Sequence, residues 1–254
     1  LTSGTTGVDR IFGNVTIENG ASYNCGWSSG RRTDFYGSMI NNGTLYASST
    51  GGVIVFKGAS LVNNGLVSLA SQNFYFDSTT SLSGSGSFTS TANFTANSNV
   101  TATSGHQFWD FIINTGGTFN ITNRLIKVNG APTPILNNGN ITTTGSTIEY
   151  NGTAAQNIVP TISYGNLKIN NSAGTFLLNS TSVTDTLIMP LGKLNLNGSI
   201  LTISPTGYLA ETPGNVIYGT SGWVTTTRSI NAPSSLNVGG LGAVLTSSAN
   251  LGIT

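Results

Sequence analysis

Charge is what this sequence has least of. Only 7% of its 254 residues are Asp, Glu, Lys or Arg, and the net charge is +1. Ordinary soluble domains carry about 25%. A nucleic-acid surface needs a basic stripe to neutralise phosphates, and none can be assembled here. The same scarcity gives no hold on an anionic membrane. Cys25 is the one cysteine, so no internal disulfide forms; that does not exclude an extracellular place, since large β-rich bacterial surface proteins often lack disulfides. No apolar run approaches the roughly 20 residues of a membrane helix, so no membrane insertion is expected. No window keeps apolar residues at helical spacing either, so helices are not expected. The sequence starts at Leu1 without Met or a signal peptide and reads as a mature piece or an excerpt.

What replaces charge is Asn, Ser, Thr and Gly, with 33 glycines alone. Short polar side chains bond to nearby backbone and compete with helical hydrogen bonds, so they favour short strands joined by tight bends. Hydrophobic residues still make up 37%, in runs such as Val53-Ile54-Val55-Phe56 and Phe74-Tyr75-Phe76. A disordered chain lacks that apolar content. The expectation is an ordered, all-β protein.

A repeat organises it. Met39-Ile40-Asn41-Asn42-Gly43-Thr44-Leu45 recurs 22 residues later as Leu61-Val62-Asn63-Asn64-Gly65-Leu66-Val67. A looser copy ends at Phe88, and two more turn at Gly116 and Gly139. The 30 residues from Gly86 to Gly116 imply an insertion of about eight, placed at Phe108-Trp109. A second apolar stretch comes about 11 residues after each turn, as from Gly43 to Ile54. Two or three strands per coil, each paired with its equivalent one rung away, explain the period. Asn-Gly suits the corners because both residues accept positive φ, and stacked Asn side chains can form a ladder. Propeller blades need about 40–50 residues, twice this period. The expected fold is a right-handed parallel β-helix, a β-solenoid with rungs of about 22 residues, over 1–218. From Gly219 the pattern fades, and 219–254 reads as a cap or the start of a further β module.

Ile162-Ser163-Tyr164-Gly165-Asn166-Leu167-Lys168-Ile169 resembles the Y-x-N-L-x-I opening of β-strand repeats in very long surface proteins of Bacteroidetes. So do Leu187-Ile188, Leu194-Asn195-Leu196-Asn197-Gly198 and Leu201-Thr202-Ile203. The stretch from Trp223 to Arg228, then Asn231-Ala232-Pro233 and Asn237 to Gly252, resembles the segment located after the repeats in those proteins. The resemblance covers 160–254. It implies type IX secretion, an extracellular location on the cell surface, and adhesion, gliding or filament formation. It also implies O-glycans at Asp-Ser/Thr motifs, which puts Ser78 and Thr186 forward as acceptors.

Chemistry is sparse. The eight acids (Asp9, Glu18, Asp34, Asp77, Asp110, Glu149, Asp185 and Glu211) are never two or three apart. A β-helix enzyme acting on polysaccharide needs clustered carboxylates, and only Asp34 with Asp110 could meet across rungs. The chain is therefore not read as an enzyme, and neither metal nor cofactor is expected. His106, the single histidine, has no metal-ligand spacing and reads as a loop or surface residue. Cys25 reads as a buried apolar residue.

The most unusual cluster is Trp27, Arg31, Arg32, Asp34, Phe35 and Tyr36. It can contact a ligand or partner, or close the first rung through an Arg–Asp pair. Trp109 is a second contact candidate, and Trp223 a third. Thr-x-Thr pairs at 101, 142 and 225 raise ice binding, but they do not fall on consecutive rungs. The expected function is a structural or adhesive repeat forming a rod or filament. Its expected partners are surface glycans, other cell-surface proteins or copies of itself; a carbohydrate-binding module or a polysaccharide-acting β-helix enzyme is the alternative.

Overall fold

The structure is a computed structural model that describes residues 7–26, 30–89 and 93–253. Two compact units divide the chain, Leu1–Thr143 and Thr144–Thr254. Every regular element among the described residues is a β-strand.

In the first unit the chain coils through three faces per rung. The first face stacks seven parallel strands, beginning Val8–Ile11, Arg32–Phe35, Val53–Phe56 and Asn73–Phe76 and ending at Ile135–Asn137. The second stacks seven more, from Val15–Ile17 through Met39–Asn41 and Ser60–Asn63 to Asn140–Thr142. The third carries Ser22–Gly26, Thr44–Ala47, Leu66–Ser68 and Ser87–Thr89. His106–Phe108, paired with Leu125–Val128, comes in later rungs. Rungs are about 21 residues long, so the expected β-solenoid is the fold.

The core results from strand alternation. Along the first face Ile54, Phe74, Phe94 and Phe111 align in register and point inward, each at most 2% exposed. Rings then meet between rungs and between faces: Phe88 stacks on Phe108 at 5.0 Å, and Phe111 lies 4.3 Å from Phe119. Burying one such side chain is worth about 1.5–3 kcal/mol, so a rung is stable only when its neighbours cover it.

The period is as expected, but its phase differs from the sequence-based expectation. Gly43, Gly65 and Gly86 turn between the second and third faces, whereas Gly117 and Gly139 turn between the first and second. The long interval after Gly86 is therefore a change of corner and not an insertion. The rung there is short: Phe94 pairs with Phe111, 17 positions on. Phe108 is fully buried in a strand, and Trp109 is half-buried at the bend just after it.

Asparagine ladders tie rungs together, inside and out. Asn41 and Asn63 are fully buried, and Asn41 Nδ2 donates to Asn63 Oδ1 at 2.8 Å and to Leu66 O at 3.0 Å. Asn63 passes the bond on to Ser87 O at 3.3 Å. Outside, Asn64 donates to Asn42 at 2.9 Å. At the corner between first and second faces, Asn114 donates to Asn97 at 2.6 Å, and Asn97 to Asp77 at 2.7 Å.

The second unit repeats the plan with three parallel faces, whose strands include Thr147–Tyr150, Gln156–Ile158 and Ser163–Tyr164. Its centre holds a fully buried tyrosine pair, Tyr150 and Tyr164, whose hydroxyls lie 2.7 Å apart. Parallel pairing continues through Trp223–Thr225. Beyond it the pairing turns antiparallel, Ser229–Asn231 with Asn250–Ile253 and Leu236–Asn237 with Val244–Leu245. This segment covers the edge of Tyr208–Glu211: Leu209 N donates to Gly239 O at 2.8 Å, and Arg228 donates to Gly207 O.

The two ladders should differ in energy. Asn63→Ala removes the acceptor of one buried Asn41 amide proton, leaving only the bond to Leu66 O, and should cost about 1–3 kcal/mol in urea unfolding. Asn64→Ala, on the exposed ladder, should stay within about 0.5 kcal/mol. Equal losses would contradict this account of the buried ladder.

Candidate functional site

The adjacent arginines of the predicted cluster part company. Trp27 lies outside the described residues. Arg31 turns inward, 3% exposed, and its Nη2 reaches Asp9 Oδ2 at 2.5 Å, linking the first two rungs. Arg32 turns outward and forks onto Asp34, with Nε 2.5 Å from Oδ1 and Nη2 3.0 Å from Oδ2. Lys57, one rung on, adds a contact of 3.1 Å to Asp34 Oδ2. Burial would push the Asp34 carboxyl up, but the Arg32 and Lys57 hydrogen bonds prevail and hold it below the usual range. The group is a charge-assisted lock across two rungs.

The aromatics beside it stack along the coil. Phe12 and Tyr36 lie 4.8 Å apart at 19°, and Lys57 Nζ stands 4.7 Å over the Tyr36 ring. Tyr36 is thus occupied by its own neighbours and offers no open platform to a sugar ring. Trp109 is half-buried, and Trp223 is 59% exposed on the outside of its strand. Ser78 is half-buried, beside an Asp77 already held by Asn97. Thr186 is half-buried and opens the strand Thr186–Leu191.

The remaining candidates separate. Asp34 and Asp110 stand four rungs apart on the first face, about 19 Å, and do not form an acid pair. No three metal-binding side chains gather among the described residues. Thr101 and Thr142 share one column of the second face, with Asn120 between them. Cys25 is buried, its Sγ 3.2 Å from Tyr46 O, and burial pushes the thiol up to about 12. His106, expected at the surface, is instead 4% exposed within the strand His106–Phe108, packed edge-on against Phe88. Its single-residue alternation with Gln107 turns it inward.

One feature was not expected from the sequence. A groove of about 610 Å³ runs along the corner between the second and third faces, lined by Asn19-Gly20, Asn42-Gly43-Thr44, Asn64-Gly65-Leu66 and Ser85-Gly86-Ser87. A second hollow of about 320 Å³ shares Ser85, Gly86 and Ser87 and continues past Gly105 and Gln107 to Leu125 and Lys127. The groove exists because its corner admits no side chain. A methyl on Gly65 would overlap Gly43 O, and one on Gly86 would overlap Gly65 O. The repeated Asn-Gly and its looser copy at Ser85-Gly86-Ser87 marked this corner in the sequence, but only the stack shows the hollow that continues past Gly105.

Two ionisable groups one strand apart, His106 buried and Asp110 half-buried, give opposite acid responses. Burial, opposed by a weaker backbone contact at Leu82, holds His106 down to about 4, from 6.5. The unfolded chain then takes up a proton that the folded chain refuses, so stability falls as pH drops from 6.5 towards 4, by about 3 kcal/mol in all. Burial raises Asp110 to about 6, from 3.8. Here the folded chain keeps a proton that the unfolded chain loses, so stability falls as pH rises from 3.8 towards 6. Between pH 4 and 6 the two slopes oppose each other. Asp110→Asn should expose a steep acid loss in thermal melts, and His106→Phe should make the chain more stable at pH 4 than at pH 7. Parallel pH profiles for both variants and the parent chain would contradict the assignment.

No family model, curated protein or solved structure matches this chain.

Proposed function

We propose that the chain is an extracellular structural and adhesive repeat element of a cell-surface protein. The observation that carries this reading is rung-to-rung locking within each unit. Ladders of Asn and an Arg–Asp–Lys bridge tie successive coils together. Such a stack gives stiffness without depending on disulfides and presents regularly spaced polar groups to a partner. The resemblance of residues 160–254 to very long Bacteroidetes surface proteins supports the location and suggests type IX export. Its partners on this reading are surface glycans, neighbouring surface proteins or further copies of the chain. Ser78 and Thr186 are the candidate O-glycan acceptors.

Antibody labelling of intact cells that express the parent protein tests the location. Labelling without permeabilisation, abolished by external protease, is expected. Signal that requires permeabilisation would overturn the reading.

A further inference from the structure

We infer that the corner groove of the first unit binds an uncharged, linear, β-linked polysaccharide laid along the stack, with one sugar per rung. The inference rests on the surface-element reading and names the partner class and the place.

The first argument is period. In the upper stretch a lining group recurs once per rung just before the corner glycine, at Asn42, Asn64 and Ser85, and rungs are stacked strands about 4.7–4.9 Å apart; Gln107 and Lys127, paired with each other, line the lower stretch from within their strands. A β-linked pyranose chain advances by close to that distance per sugar, so each sugar faces the groups of one rung. An extended peptide advances about 3.3 Å per residue and falls out of step within two rungs. A nucleic-acid strand finds no row of cations to pair its phosphates.

The second argument is chemistry. Amides and hydroxyls line the upper stretch, where the Asn64 side chain already donates to Asn42 and leaves its own carbonyl oxygen and second proton for a ligand. Ionisable residues in the whole lining are limited to His106 and Lys127, which suits a neutral polymer. No aromatic residue besides His106 lines the groove, so each sugar contributes little and affinity must accumulate with length.

The third argument is that the hollow is imposed by the fold. At Gly43, Gly65 and Gly86 a Cβ would overlap the backbone of the rung before, so the corner stays free of side chains over these three rungs, within a hollow that runs from Asn19 to Lys127 over six.

The test is calorimetric titration of the purified chain with β-linked glucose, mannose and xylose oligomers of increasing length. At least one series should bind, with affinity climbing up to about six sugars and then levelling, as the groove's rung count requires. Ser85→Trp, which plugs the middle of the groove, should weaken the longest oligomer by about tenfold or more. Asn64→Ala, chosen to leave the fold intact, should weaken it several-fold, and Thr142→Trp on the second face should not change it. Silence of all three series at millimolar concentration, affinity independent of length, or binding unchanged in both Ser85→Trp and Asn64→Ala would overturn the inference. Those outcomes leave cell-surface labelling untouched, whereas an internal location would sink the surface reading and leave groove affinity standing.

Discussion

Register between successive rungs is the constraint on which everything else depends. In a parallel stack each strand satisfies its backbone only through the rungs on either side, and a shift of one residue would turn every buried side chain outward. Ile54, Phe74, Phe94 and Phe111 form one buried column only while that register holds. Asn41 and Asn63 add a polar check on the same alignment, since two fully buried amides are tolerable only when each finds its partner. Apolar columns supply the stability, and the buried asparagines penalise slippage.

Scarcity of charge makes the few ionic groups informative. Asp34 is nearly buried on the outward side of its face and is neutralised from its own rung and the next, by Arg32 and Lys57. Glu149 does the same in the second unit, with Lys168 at 3.3 Å and Asn170 at 2.6 Å, both from the next rung. A carboxylate held this way is a clamp between coils. Breaking one partner leaves a charge without compensation, which costs more than the pair contributes. The exceptions are His106 and Asp110, where burial prevails and shifts the two groups in ways that oppose each other as pH falls.

Much of this was legible in the sequence alone. Asn-Gly recurring at 22 residues, alternating apolar runs and the lack of helical spacing led directly to a β-solenoid, and the stacked asparagines were expected from the corners. The phase was not legible. Two different corners are built from the same Asn and Gly residues, so Gly86 and Gly116 looked equivalent and the remainder looked like an insertion at Phe108-Trp109. The same uncertainty put His106 on the surface. Arg31 and Arg32 could not be separated either, because which of two neighbours faces inward depends on where the strand begins after the turn at Gly30. The groove is a property of the stack; no single rung contains it.

Distances along one face test the stacking most directly. With Cys25 replaced by Ser, spin labels would be placed on Ser60 with Thr101, and on Ser60 with Thr142, all in one outward column of the second face. Two and four rungs separate these pairs, so backbone separations of about 10 Å and about 19 Å are expected. Doubling of the distance with doubling of the rung count supports a register-locked parallel coil. Similar distances for both pairs, or a longer one for Ser60 with Thr101, would contradict it.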